Sequence, residues 1–396
     1  MKILQLTKKF PWPEKDGEVI GILNLTLGFS QMGHEVTVLA LNTLKHYFPP
    51  EQLPDSISKA ARFLSISIDT DVKVWPAFKN LFSRQSYNVV RFFSMDYARE
   101  LTRLLKEESF DIILVEGVYL MQYIPNVPIE FKGKILFRPQ NVEYIIWERL
   151  ANQDSNWLKR WYYSFLAGRM KEYEMRMMHC SDLMVTVSEN DLLHFKGLGY
   201  NGPGYCVPTG YRFDHLPDWL PDEEQAVGFI GGMDWIPNRE GVQWFLRDVW
   251  PLVLQKLPHA RFYLAGRNFP ADLLQLKQQG VFIMGEVDDA RSFILSKAVS
   301  ICPLFAGSGM RVKIVEAMAM GRAIISTTIG AESLMYTQGV DLLIADEPAL
   351  FASHIVHVLI DKPLRVSLGK SAQQRVLATY DNRSICRQII ELAGSL

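Results

Sequence analysis

The sequence predicts an α/β protein of two doubly wound domains, each with a mainly parallel sheet. Three observations carry this. The 396 residues exceed what one core usually serves, about 250 to 300 residues. Short apolar runs of strand length alternate with stretches of helical spacing, the pattern of parallel strands covered by helices on both faces. One stretch breaks the alternation: TGYRFDHLPDWLPDEEQ at 209–225, rich in proline and acid, reads as a linker. The domains are therefore expected at 1–210 and 211–379. A helical segment at 380–396 follows, with a return to the first domain as one course open to it.

The elements follow in order. KILQLT at 2–7 is a strand, and EVIGILNLTLGFSQMG after it places Ile20, Leu23, Leu27 and Met32 at helical spacing. HEVTVLAL (34–41), DIILVEG (111–117), KILFRP (134–139) and DLMVTVS (182–188) are further buried strands, with helices expected at 94–108 and 156–178. The pattern then repeats. AVGFIGG (226–232) leads into a helix at 239–257, and ARFYLAG (260–266), VFIMG (281–285), VSICPL (299–304), AIISTT (323–328) and VDLLIA (340–345) read as strands. In such sheets ligands bind at the carboxyl ends of strands, beside helix N-termini.

Composition narrows the function. Hydrophobic residues make up 48% and charged residues 21%, which fits a soluble globular chain. A formal net charge of -1 gives no bulk basicity for nucleic acid. The four cysteines, Cys180, Cys206, Cys302 and Cys386, have no short spacing, so neither a disulfide framework nor a metal knuckle is expected, and a reducing compartment fits best. MKILQLTKKFPWP lacks the apolar core of a signal peptide, and no apolar run is long enough to span a bilayer. The expected location is cytoplasmic, with peripheral attachment to the inner face of the membrane left open. The 12% aromatic share leaves room for surface aromatics near a membrane or partner, although core packing is the simpler use.

LFAGSGMRVKIVEAMAMG at 304–321 is electrostatically odd. It follows a strand and reads as a helix from about Gly309, with Ser308 as N-cap. Arg311 and Lys313 then sit where the helix dipole repels cations. A bound diphosphate would reverse that cost, because unpaired N–H groups and both cations would face it. The bland reading is that both side chains reach solvent. Glu316 suits the two hydroxyls of a ribose, or else pairs with Lys313 three residues earlier. The GK[ST] ending of an ATPase-type phosphate loop is absent.

AGSGMRVKIVEAMAMGRAIISTTIGAESL resembles the donor-binding signature of the retaining glycosyltransferases of family 4 (glycosyl transferases group 1), which have the GT-B fold. FIGGMDWIPNREGVQWF at 229–245, GHEVTVL at 33–39, DLMVTVSEND at 182–191 and CVPTGYRFD at 206–214 extend the likeness over essentially the whole chain. The resemblance implies two Rossmann-like domains facing each other across a cleft. It implies transfer of a hexosyl group from a UDP- or GDP-linked sugar to a glycan or lipid-linked saccharide. No metal and no cofactor beyond the donor are implied. On this chain it makes Arg311, Lys313 and Glu316 the catalytic set, with Glu316 on the ribose. Gly307, Ser308, Gly309 and Met310 would lie against diphosphate and sugar. Gly285, Glu286 and Val287 would hold the base, and Arg267 is a further cation for the diphosphate. Gly17 matches the flexible turn near diphosphate and acceptor; read from residues alone, it is a turn glycine before a helix.

Three departures stand out. Ser308 replaces a common acid. The usual Arg and Lys of the diphosphate clamp are missing where Gly232, Met233, Asp234 and Asn238 stand, with Arg239 the one cation nearby. Gln140 takes the place of a histidine, beside Arg138, Asn141 and Glu143, where Arg138 and Glu143 also read as a surface ion pair. Residues 42–100 form a long, aromatic and moderately basic stretch, suited either to a lipid-linked or polysaccharide acceptor or to plain packing on the core. The helix pair from Asn141 to Met178 joins Trp, Tyr, Lys and Arg in a composition that suits an interface. A nucleotide-sugar epimerase, an inverting transferase and a non-catalytic binder of the same fold stay open at this point, as does the oligomeric state.

Overall fold

The computed structural model describes residues 1–396 apart from 15, 84, 154–155, 213–222, 307–310 and 333. The chain divides into two compact units, one of residues 1–210 with 382–396, the other of residues 211–381. Most of the stretch read as a linker, at 213–222, lies outside the described residues.

The first unit holds a seven-stranded sheet. Its strands are β1 (Lys2–Thr7), β2 (Glu35–Thr43), β3 (Arg62–Ile68), β4 (Ile112–Glu116), β5 (Lys134–Arg138), β6 (Leu183–Thr186) and β7 (Gly204–Cys206). They lie in the order β3-β2-β1-β4-β5-β6-β7, all parallel. Strands β1 and β4 are buried almost end to end, because helices cover both faces.

Five helices of this unit matter below: α1 (Gly17–Gln31), α2 (Val74–Asn80), α3 (Met95–Glu107), α4 (Glu143–Gln153) and α5 (Trp157–Met177). Helix α3 shows how they form. Ser94 caps it by accepting from Tyr97 N at 3.3 Å, and Tyr97, Ala98, Leu101 and Leu104 give it one buried face. Tyr97 then donates to the Leu39 carbonyl at 2.8 Å, tying the helix to β2. Helix α1 is capped by Asp16, which accepts from Val19 N at 3.0 Å.

The second unit has six parallel strands: β8 (Glu223–Ile230), β9 (Arg261–Ala265), β10 (Val281–Gly285), β11 (Lys297–Cys302), β12 (Ala323–Ser326) and β13 (Leu343–Ile344). Their order is β10-β9-β8-β11-β12-β13. The helix expected at 239–257 begins at Ile236 and comes in parts. Helix α6 (Ile236–Trp244) widens into a π-turn over Phe245–Val249 and resumes as α7 (Trp250–Lys256). Pro251 has no N–H for the Arg247 carbonyl, which is why the helix loosens there. Trp250 is fully buried and donates Nε1–H to the Gln279 carbonyl at 2.9 Å. Its apolar surface alone favours burial by up to about 5 kcal/mol.

The strand expected at 340–345 is reduced to Leu343–Ile344. Residues before it turn instead, with Gly339 N on the Leu342 carbonyl at 2.9 Å and Thr337 N on Asp341 Oδ2 at 2.7 Å. Helices α8 (Val312–Ala319) and α9 (Lys362–Thr379) pack on this sheet's β11–β13 side. The last helix, α10 (Asn382–Gly394), belongs to the first unit, where it packs on α1. Asn382 Nδ2 donates to the Asn24 carbonyl at 2.7 Å, and a Cβ on Gly28 would collide with Cys386 and Asn382.

Candidate functional site

In the second unit the strand order reverses between β8 and β11, which is the topological switch point where open sheets bind ligands. The loops there are tightly joined. Gly231 N donates to the Ala265 carbonyl at 3.1 Å, Gly266 N to Gly285 O at 2.8 Å, and Met233 N to Arg267 O at 2.9 Å. The ends of β8, β9 and β10 are thereby zipped into one rim. Glycine is required for this. Gly266 has φ +145°, and a Cβ there would overlap the Gly231 carbonyl.

Lys313 reaches this rim. Its Nζ donates to Asn238 Oδ1 at 2.8 Å, and Asn238 Nδ2 donates to the Gly232 carbonyl at 2.8 Å. The amine also lies 4.3 Å from the centre of the Phe229 ring. A Cβ placed on Gly231 would sit 2.8 Å from that amine, so bare backbone borders the cation. Burial pushes the Lys313 amine down to about 8; the Arg311 charge adds to this, while Cys302 and Glu316 oppose it. A diphosphate brought to this point would favour the charged form.

Helix α8 begins at Val312, three residues later than the sequence predicts, and Arg311 takes the N-cap position. Arg311 has φ -88° and ψ 85°, outside the helical region, while its carbonyl accepts from Ile314 N at 2.8 Å. Gly307, Ser308, Gly309 and Met310 lie outside the described residues. Arg311 is buried, with its guanidinium 5.5 Å from the Trp235 ring centre. Lys313 stands in the first turn, and Glu316 follows one turn on, half-buried.

The other expected residues of this unit are placed on the same rim. The Arg267 side chain lies over Gly232, its Nε 3.8 Å from where a Cβ would stand, and Asp234 Oδ1 is at 2.9 Å from that point. Gly285 has φ +69° and open space on its Cα, Glu286 is exposed, and Val287 packs on the core. Asn238, which the sequence offers only as a gap in the usual clamp, is the direct partner of Lys313.

Gly17 belongs to the first unit, as the first residue of α1. Beside it Lys9 pairs with Asp16 at 3.2 Å and Glu18 at 3.0 Å, and Lys8 with Glu18 at 3.3 Å. Burial opposes charge on Glu18, yet Lys8 and Lys9 hold its carboxyl below the usual range.

The first unit gathers a second polar group at the ends of β4 and β5. Arg138 is fully buried and pairs with Glu116 at 3.2 Å, so it is no surface ion pair with Glu143. Gln5 Nε2 donates to Glu116 Oε1 at 3.0 Å, Gln140 Nε2 to Glu116 Oε2 at 2.5 Å, and Arg138 Nη2 to Thr209 Oγ1 at 3.2 Å. Gln140 thus serves a buried carboxylate. Glu143 accepts from the Tyr119 hydroxyl at 2.8 Å. Glu174 of α5 accepts from the Glu143 and Tyr144 N–H groups at 2.9 and 3.0 Å, capping α4. Burial pushes the Glu174 carboxyl up to about 8, against those two backbone donors and with help from the Glu143 and Asp191 charges.

Residues 224–361 match the model of the family described as glycosyl transferases group 1. The second unit is a glycosyl transferases group 1 domain. The glycosyltransferase is 22% identical over 98% of its length to an uncharacterized 44.6 kDa protein in the cps region of Klebsiella pneumoniae, covering 99% of that protein. It is 29% identical over 47% of its length to the phosphatidyl-myo-inositol mannosyltransferase of Mycobacterium tuberculosis, covering 52% of it. Among solved structures it resembles the sucrose-phosphate synthase of Thermosynechococcus elongatus, with TM-score 0.75, 16% identity, 100% of this chain and 99% of that one. A TarM variant from S. aureus, in complex with fondaparinux, alpha-GlcNAc-glycerol and UDP, gives TM-score 0.71 at 11% identity, covering 99% and 100%. These likenesses show the fold, two parallel-sheet Rossmann-like domains of the GT-B class.

Proposed function

We propose that the chain is a retaining glycosyltransferase of family 4. In this reading it moves a hexosyl group from a UDP- or GDP-linked sugar to a glycan or lipid-linked saccharide, in the cytoplasm and without a metal. The observation that carries the reading is the Lys313 amine, set against bare glycine backbone at the β8/β11 switch point and close to Arg311. The solved TarM complex, which contains UDP, supports a uridine donor among the choices.

Glycosyl transfer needs the leaving diphosphate stabilised as its charge grows. Preorganised N–H groups and buried cations do this best where water is scarce. Lys313, Arg311 and Arg267 supply the cations, and Glu316 takes the ribose hydroxyls. As the diphosphate approaches, Lys313 exchanges Asn238 for a phosphate oxygen. The anomeric carbon's bond to the diphosphate breaks on the same face of the sugar on which its bond to the acceptor oxygen forms, and the departing phosphate oxygen accepts the acceptor's proton.

The test is product chemistry. The protein is incubated with α-linked UDP- and GDP-sugars, saccharide acceptors and EDTA, and the new linkage is read by NMR. An α-linked product in the presence of chelator is expected. A β-linked product, a free epimerised nucleotide-sugar, or loss of transfer on chelation each contradicts the reading.

A further inference from the structure

We propose that the first unit carries a docking surface for an anionic lipid bilayer, formed by the outward faces of α2 and α5. The proposal goes beyond the transfer reading and does not depend on it, since the test below contains no donor.

The surface starts from spacing. On α2 and just after it, Trp75, Phe78 and Phe82 fall on one side of a helical path. Trp75 stacks on Phe78 at 5.8 Å, and Phe78 meets Phe82 edge-on at 5.7 Å. On α5, Trp157, Trp161 and Phe165 recur every fourth residue, and Trp161 stacks on Phe165 at 5.8 Å. These rings face solvent: Trp75 is 65% exposed, Phe82 82%, Trp157 73% and Trp161 57%. Rings of this size left in water on neighbouring elements mark an interaction face.

Arg169 makes the two faces one. From α5 it donates to the Asn80 carbonyl at 2.7 Å and to the Leu81 carbonyl at 3.0 Å, closing the C-terminal end of α2. Its guanidinium also lies 4.1 Å from the Phe165 ring centre. One side chain thus ties the Phe165 face of α5 to the backbone at the end of α2, just before Phe82.

Charge selects the partner. Lys79 on α2 and Lys159 and Arg160 on α5 are exposed, and Arg169 joins the two elements; Lys73 is paired with Asp69 at 2.8 Å, and Arg91 donates inward to the Thr70 carbonyl at 3.3 Å. Lys79 sits 5.6 Å from the Trp75 ring centre. The first acid on α5, Glu172, lies ~16 Å along the helix from Trp161. Tryptophan and phenylalanine interleaved with exposed lysine and arginine fit the headgroup layer of an anionic leaflet. A neutral polysaccharide would not need the cations, and a second copy of the same basic patch would be repelled. No helix among the described residues is long and apolar enough to cross a membrane, so this surface would lie on the bilayer.

The full chain is mixed with vesicles of phosphatidylcholine alone, or of phosphatidylcholine with phosphatidylglycerol, and sedimented at low and raised salt. Co-sedimentation with the mixed vesicles, weakened by salt and accompanied by a blue shift of tryptophan emission, is expected. Trp75→Ser with Trp161→Ser should lower partitioning by roughly tenfold or more. Lys79→Ala and Lys159→Ala should each lower it about fivefold. Unchanged melting curves for these exposed-site variants separate lost binding from lost folding. No sedimentation, equal binding to both vesicle types, or variants that partition like the parent would overturn the proposal. So would a concentration-dependent dimer that Trp161→Ser abolishes, or binding to soluble polysaccharide in place of vesicles.

Discussion

Replacing Lys313 by Met keeps an unbranched stem of four heavy atoms and removes the amine with its charge. Its amine donates to Asn238 at 2.8 Å and borders the Gly231 backbone, so a diphosphate at this rim would meet it directly. A phosphate charge about 4 Å away is attracted by about 4 kcal/mol at an effective dielectric of 20. Lys313 is partly exposed and shares the anion with Arg311, so about half of this is taken, ~2 kcal/mol, or roughly thirtyfold in kcat/KM. The pH dependence follows from the depressed amine. With Lys313 at about 8, it is mostly charged at neutral pH and loses its proton just above. The kcat/KM of the parent enzyme should therefore be flat below that point and fall through it, since this ratio reports the free enzyme. The Met variant should be lower and flat across the same range. Stability moves the other way. The folded amine lies below its usual 10.5, so its cost to folding is fully present below about 8 and fades as pH rises toward 10.5. Steady-state kinetics and thermal melts against pH read both effects. A Met variant with parental kcat/KM, or one that keeps the same inflection, would refute the assignment of Lys313 to the diphosphate.

Three further outcomes are expected. Glu316→Ala should weaken nucleoside diphosphate binding by roughly tenfold to a hundredfold while leaving inorganic pyrophosphate binding alone, and calorimetry showing equal losses for both would remove Glu316 from the ribose. Gly266→Ala places a side chain at φ +145° against the Gly231 carbonyl; a cost of about 3 kcal/mol should lower the melting temperature of its unit by roughly 6 to 12 °C, and an unshifted melt would mean the rim is not tightly joined. Glu174, with its folded carboxyl at about 8 against an ordinary 4.5, costs stability progressively between those values and fully above 8. Glu174→Gln should therefore gain on the parent as pH rises from 5 to 8, and parallel stability curves would exclude a protonated Glu174.

Much of the architecture is legible in the sequence because a buried parallel strand is a short apolar run, as KILQLT, DIILVEG and AIISTT are. Strand β3 is harder to see. It alternates as RFLSISI within an aromatic and basic stretch, sits at the sheet edge, and carries Ser65 and Ser67 where a central strand would be apolar. Strand β7 has three residues and no pattern of its own. Helix α8 runs from Val312 with Arg311 at its N-cap, and the Ser308 cap that the sequence suggests lies outside the described residues. At the rim, spacing brings Lys313 and Glu316 onto one helix, but nothing local announces Asn238. Its partnership with Lys313 spans 75 positions and arises only when β8 and β11 pair. Likewise the burial of Arg138 against Glu116 comes from the register of β4 and β5, which places both at the strand ends.

The central claim is that the diphosphate of a sugar donor is held at the β8/β11 switch point by Lys313 and Arg311. A crystal structure of the full chain with a nucleotide-sugar tests it most directly. The account predicts Lys313 Nζ within about 2.7 to 3.2 Å of a diphosphate oxygen, released from Asn238, with the Glu316 carboxylate on the ribose hydroxyls. A bound nucleotide whose diphosphate lies elsewhere, with Lys313 still on Asn238, would contradict it.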